Sequence, residues 1–150
     1  MLSDFLLIIF YALLFNVFNS DPRLTARNGG GHMPMRVVMS QSMDLPEVAH
    51  LWDTSDVHTV VTTQRGARRS FQKFLASKGV EVIEFDFLNP RDVMEYFYEC
   101  GYLSILWECG GSLAASAISS GVIHKVLMLP FNFLYQELSC FLPTNLDNLP

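Results

Sequence analysis

The residues best suited to chemistry lie in one run, Ser104-Ile105-Leu106-Trp107-Glu108-Cys109-Gly110-Gly111-Ser112-Leu113-Ala114-Ala115-Ser116. It reads as a buried strand, a glycine turn and the start of a helix. Such a junction gathers backbone N–H groups and the positive end of a helix dipole at one point, where an anion, most often a phosphate, binds. Glu108 falls at the carboxyl end of the strand, where open α/β sheets hold their ligands. The segment therefore points to a nucleotide-type ligand beside a polar group placed to read a substrate. The plainer reading of Gly110-Gly111 is a tight turn with no ligand, since a lone glycine turn is weak evidence. Glu108 is then a solvated residue at a strand end.

Other reactive side chains fall into no such pattern. His32, His50, His58 and His124 are scattered, with no pair at the i,i+4 spacing of a helical metal site, so surface or capping roles are expected of them. Cys100, Cys109 and Cys140 are odd in number and lack metal-like spacing, which argues against a zinc site or a disulfide framework and favours a reducing compartment. Cys109 reads as a small residue in the turn. Glu95 and Glu99, at i,i+4 spacing, read as a solvated helix face, and Tyr96 and Tyr98 as its boundary with solvent. Met33 and Met35 are expected to pack.

The chain has 150 residues, enough for one domain with a core. Half of them are hydrophobic and 17% are charged, which excludes a disordered tail. The net charge of −5 and a pI near 5.2 give no basic stripe for nucleic acid. The cluster Arg65, Arg68, Arg69 and Lys73 reads as a solvated face.

The elements that position the run follow from pattern. Arg36-Val37-Val38-Met39 is a short strand, and Leu45 to Asp56 a connection with a turn at Pro46. His58 to Thr63 is a β-branched strand. Arg68 to Ser77 is an amphipathic helix with Phe71, Phe74 and Leu75 inward, ended by Gly79. Val80 to Phe85 is a strand. Asn89-Pro90 starts the next helix, with Asn as N-cap, Pro at the first position and Asp92 in the first turn. Its inner face is Val93, Met94 and Phe97, and Gly101 closes it. Leu103 to Trp107 is a strand, Ser112 to Ser120 a small-residue helix stopped by Gly121, and Lys125 to Leu129 a strand. This β-β-α-β-α-β-α-β order predicts an α/β fold with a mainly parallel sheet.

The two ends differ from this middle. Phe5 to Phe18 is apolar except for Asn16, and shorter than the roughly 20 residues that cross a bilayer. It begins Met-Leu-Ser-Asp rather than with the basic start of a signal peptide. A buried helix or strand, or foreign sequence, fits it better. Asp21 to Arg27 is polar, and Asn28-Gly29-Gly30-Gly31 is a flexible loop. Phe131 to Leu142, bounded or interrupted by Pro130, Pro143 and Pro150, is apolar with no clean period.

Three motifs in order carry a resemblance. They are Asp21-Pro22-Arg23-Leu24-Thr25-Ala26-Arg27, then Arg36-Val37-Val38-Met39, then Leu106-Trp107-Glu108-Cys109-Gly110-Gly111-Ser112-Leu113-Ala114. Over about Asp21 to Leu127 the chain resembles the reductase domain of the riboflavin-biosynthesis deaminase–reductases, and among them the plant pyrimidine reductases. The resemblance implies a dihydrofolate-reductase-like fold, incomplete here. It divides the chain into a divergent apolar segment (1–20), a partial reductase domain (21–129) and a divergent tail (130–150). It implies NADPH-dependent reduction of the ribosyl group of 5-amino-6-(5-phosphoribosylamino)uracil to a ribityl group. Gly110, Gly111, Ser112, Leu113, Ala114, Ala115 and Ser116 would hold the NADPH phosphates. Glu108, Leu24 and Arg27 would contact substrate, Arg27 through its phosphate. Gln41 stands where the family has a cofactor-contacting serine, and Ser20 where it usually has an acidic residue. No residue is assigned as catalytic and no metal is expected, because the cofactor carries the hydride chemistry.

The partner implied is this small molecule, with no nucleic acid, a membrane disfavoured, and a homodimer as the family commonly forms. Location in the chloroplast is implied by the resemblance, without a visible transit peptide, and the cytoplasm is the alternative. Two other readings stand beside the reductase. One is a non-catalytic truncated fragment of it. A distant third is a membrane-associated or exported protein driven by Phe5 to Phe18.

Overall fold

The structure is a computed structural model that describes residues 6–11, 21, 23–24, 33–109, 111–127 and 137–141. Among the described residues seven strands form one sheet: β1 (Leu6–Tyr11), β2 (Met35–Met39), β3 (Thr59–Gln64), β4 (Glu81–Phe85), β5 (Ser104–Glu108), β6 (Lys125–Leu127) and β7 (Glu137–Phe141). Their order across the sheet is β4-β3-β2-β1-β5-β7-β6. The pairs from β4 to β5 are parallel, while β7 is antiparallel to both β5 and β6. The expected α/β fold, a mainly parallel sheet with flanking helices in a dihydrofolate-reductase-like arrangement, is the fold observed.

Three helices follow the middle strands: α1 (Arg69–Ser77), α2 (Pro90–Glu99) and α3 (Gly111–Ser119). A short 3-10 turn, His50–Trp52, interrupts the connection from β2 to β3. Asn89 caps α2 as expected, its Oδ1 accepting the Asp92 backbone N–H at 2.9 Å, with Pro90 in the first turn. Gly79, Gly101 and Gly121 all have positive φ just past a helix, the conformation that glycine reaches without strain.

The strand alternation sorts the core into two layers. On one face Val37, Met39, Val60, Ile105 and Trp107 pack with Val93, Met94 and Phe97 of α2 and Leu113 and Ala117 of α3. On the other, Val38 and Val61 pack with Phe71 and Leu75 of α1 and with Leu24, Met43, Leu45, Leu51 and Trp52. β3 is buried along nearly its whole length, as a parallel strand covered on both faces should be. The Arg91 guanidinium donates to the Ser120 carbonyl and ties α2 to the end of α3.

Several expectations hold on the surface. Arg65, Arg68, Arg69 and Lys73 are exposed, with Arg65 paired to Asp86 at 3.0 Å and Arg68 to Glu47 at 3.6 Å. Glu95 and Glu99 are exposed, Tyr98 is exposed and Tyr96 half-buried. His58 meets Glu81 at 3.1 Å. Cys109 is buried in the core rather than merely placed in a turn. One expectation fails: Met33 is 46% exposed. Only Met35 packs, where the Tyr102 hydroxyl meets its sulfur at 3.2 Å.

The apolar start of the chain is a strand in the middle of the sheet. β1 lies between β2 and β5, pairing Leu7 with Met35 and Ile105. The tail, which has no clean period, supplies β7 on the far side of β5. Both segments that differ from the middle of the chain thus flank the strand carrying Glu108.

Candidate functional site

The topology makes one place at the carboxyl edge special. β1, β2, β3 and β4 succeed one another outward in one direction, and β5 then stands on the opposite side of β1. The strand order reverses between β1 and β5, and open α/β sheets bind ligands at such a switch point. Glu108 ends β5 at this point, and α3 begins at Gly111. The first N–H groups of α3 have no partner within the helix by geometry, and the helix dipole adds positive potential.

Gly111 is exposed, and a Cβ added there would meet nothing within 4 Å. The helix start therefore opens to space that a bound group can fill. Ser112, Ala115 and Ser116 are exposed and Ala114 is half-buried, whereas Leu113 is buried and anchors the helix to the sheet. The Ser116 carbonyl accepts the Ser120 hydroxyl at 2.9 Å. Gly110, Arg27, Ser20, His32 and the loop Asn28 to Gly31 lie outside the described residues.

β5 is covered unequally. Ile105 and Trp107 are buried under α2 and α3, while Ser104, Leu106 and Glu108 on the opposite face are only half-buried, although strands flank β5 on both sides. Glu108 thus looks onto the face that also carries Leu24. Register places Glu108 beside Phe10 of β1, and Phe10 beside Val38 of β2. Leu24 is buried against the Val38 cluster, with φ +47. The structure thus gathers Glu108 and Leu24 on one face, and Glu108 and Gly111 at one edge.

Gln41 follows β2 at the same edge, two strand spacings from β5, about 10 Å away. It is exposed, and its Nε2 donates to Gln64 Oε1 at 2.8 Å. The Thr63 hydroxyl also donates to the Gln41 carbonyl at 3.2 Å. These bonds fix Gln41 beside β3, with β1 between it and Glu108.

In sequence Arg36 reads as part of a strand and of a resemblance motif, with no role of its own. It is 3% exposed. Its Nη1 donates to the Arg23 carbonyl at 3.1 Å, and Nη2 to the carbonyls of Asp53 at 2.5 Å and Val57 at 2.9 Å. Burial pulls its pKa down, against Asp53 and Asp56, which favour the charge. An arginine inside an apolar run signals such a hub, but its partners lie 13 to 21 residues away and no local pattern shows them.

Among the described residues no group of three or more His, Cys, Asp or Glu is placed to hold a metal ion, and no helix is long and apolar enough to cross a membrane.

Comparison with known proteins adds the family. The model of the RibD C-terminal domain matches residues 16–133. The riboflavin biosynthesis protein PYRR, chloroplastic, of Arabidopsis thaliana is 75% identical over 111 residues, which is 74% of this chain and 18% of that protein. The protein of the same name from Zea mays is 69% identical over 106 residues, covering 71% and 17%. The riboflavin biosynthesis protein RibD of Synechocystis is 42% identical over 110 residues, covering 73% and 30%. The chain spans less than a third of the length of each of these relatives. With the family model covering most of its length, the chain belongs to the RibD C-terminal domain family.

Proposed function

We propose that residues 21–129 form a partial reductase domain of riboflavin biosynthesis. Its reaction would be the NADPH-dependent reduction of 5-amino-6-(5-phosphoribosylamino)uracil to the ribitylamino product. The observation that carries the reading is the juxtaposition of Glu108 with the exposed start of α3 at the switch point. The family match and the plant relatives support it. Both plant relatives are chloroplastic proteins, and a chloroplast location is part of the proposal.

The residues present fit a phosphate-bearing cofactor. Gly111 leaves room at the helix start, the N–H groups of the first turn face an anion, and Ser112 adds a hydroxyl. Gly110, next to Gly111 in sequence, is part of the same proposed phosphate site. Ala114, Ala115 and Ser116 let the cofactor approach along the first turns of α3, while buried Leu113 holds that helix in place. NADPH, when bound, supplies the hydride. Glu108 accepts hydrogen bonds from the substrate and fixes its orientation. Leu24 gives it an apolar wall, and Arg27 pairs with its phosphate. Gln41 closes the cofactor's side of the edge. Holding both partners in one orientation supplies much of the acceleration in a reaction that needs no protein nucleophile.

The test is turnover. The purified chain, given NADPH and the ribosylaminouracil phosphate, should oxidise NADPH in proportion to the ribitylamino product formed, and Glu108→Gln should lower kcat/KM for that substrate. A folded chain that binds NADPH without turnover would instead favour the non-catalytic fragment. That reading has its own observation: both neighbours of β5, namely β1 and β7, lie outside the residues matched by the family model.

A further inference from the structure

The segment carrying Leu24 is held in an unusual way. Asp21 and Leu24 have φ of +36 and +47, the left-handed region that non-glycine residues seldom occupy and that persists only where the surroundings enforce it. Two devices enforce it. On the surface, the His50 backbone N–H donates to Asp21 Oδ1 at 2.8 Å, and the His50 ring Nε2 lies 3.4 Å from Oδ2. Beneath, buried Arg36 donates to the carbonyl of Arg23, the residue before Leu24.

The buried guanidinium is itself costly. Its Nε has no hydrogen-bond partner among the described residues, and a buried donor left unpaired is unfavourable. Apolar side chains of similar volume commonly replace buried charges without loss of stability. A buried arginine that spends its fork on three carbonyls from two separate segments fixes where those segments lie. Here they are the strap through Arg23 and the last stretch of the β2–β3 connection, at Asp53 and Val57.

We infer that Arg36 and the Asp21–His50 clip are positioning elements for Leu24. They hold the strap so that Leu24 stays seated on the face of the sheet shared with Glu108. This rests on the proposed substrate role of Leu24 and adds the residues that set its place. Neither Arg36 nor Asp21 touches substrate in this account. Their loss weakens substrate binding and spares the cofactor, whose site lies across the sheet edge at α3.

Two variants of the full chain test this. Asp21→Ala opens the exposed clip, and Arg36→Lys keeps the charge and loses the fork. In both, amide hydrogen exchange at Arg23 and Leu24 should be faster than in the wild type. Both should raise the substrate KM by roughly tenfold with kcat nearly unchanged, the signature of lost uniform binding, and the KM for NADPH should stay put. Unchanged exchange overturns the inference, and so does faster exchange with an unchanged substrate KM. If the wild type turns over no substrate, the proposed function fails first, and with it the substrate role of the strap. The exchange comparison still decides by itself whether the clip and Arg36 hold Leu24.

Discussion

Glu108 of β5 stands in register with Phe10 of β1. The apolar stretch near the start of the chain therefore supplies the strand beside the candidate site. On its other side Glu108 is in register with Glu137 of β7. Residues 6–11 and 137–141 both fall outside the matched 16–133, so the strand with the family's signature runs between two strands from outside it.

The central position of β1 makes it essential. Ile8 is in register with Arg36 on one side and Leu106 on the other. Proline there removes a ladder donor from a central strand. Ile8→Pro should cost at least about 2 kcal/mol, read as a lower urea midpoint or loss of cooperative unfolding. A midpoint equal to the wild type would show that β1 contributes nothing to the sheet.

Two carboxylates, exposed Asp53 and half-buried Glu84, should make acid destabilising. Glu84 is held below the usual carboxylate range by the Gln72 side-chain amide at 2.9 Å and the Gly66 N–H at 2.9 Å. Asp53 is held below it by the Ser55 hydroxyl and N–H. A folded-state pKa below the unfolded one gives stability that is full above the unfolded value, about 4. It is lost as pH falls through the folded value. Gln72→Leu should raise the Glu84 pKa in a carboxylate NMR titration and flatten the acid limb of the stability curve. No change in that pKa would refute the assignment.

The glycines after β3 and α1 should differ in their tolerance of alanine. Gly66 has φ +82 with open space around it, whereas at Gly79, φ +78, a Cβ would meet Thr54 Oγ1 at 3.0 Å. Gly66→Ala should cost about 1–2 kcal/mol from conformation alone, and Gly79→Ala more. Thermal unfolding checks the order, and equal shifts would show that Thr54 yields without cost.

Much of the fold was legible because its signals are local. The Asn89-Pro90 start of α2 rests on one side chain reaching three residues ahead. The β-branched run before Gln64 has a single sensible conformation. Glu108 and the glycine turn could be placed at a strand end from pattern alone. What stayed hidden depends on distant partners. Phe5 to Phe18 is apolar without a period, so helix and strand remained open until β2 and β5 paired with it. β7 is visible only through its antiparallel pairing with β5 and β6. The burial of Arg36 needs carbonyls from two distant segments, at Arg23 and at Asp53 and Val57, and no local window around Arg36 contains them. The exposure of Met33 follows from where its neighbours fail to reach.

The central claim is that the turn after β5 and the start of α3 hold the cofactor. The most direct measurement is a titration of the 150-residue chain with NADPH, followed by cofactor fluorescence, beside Gly111→Leu. The open space at Gly111 lets that variant fold while its side chain fills the place of the phosphate. The account predicts saturable binding by the wild type, weakened by roughly tenfold or more in a folded Gly111→Leu, a loss of about 1.4 kcal/mol. Absence of binding by the folded wild type, or equal binding by both, would contradict it.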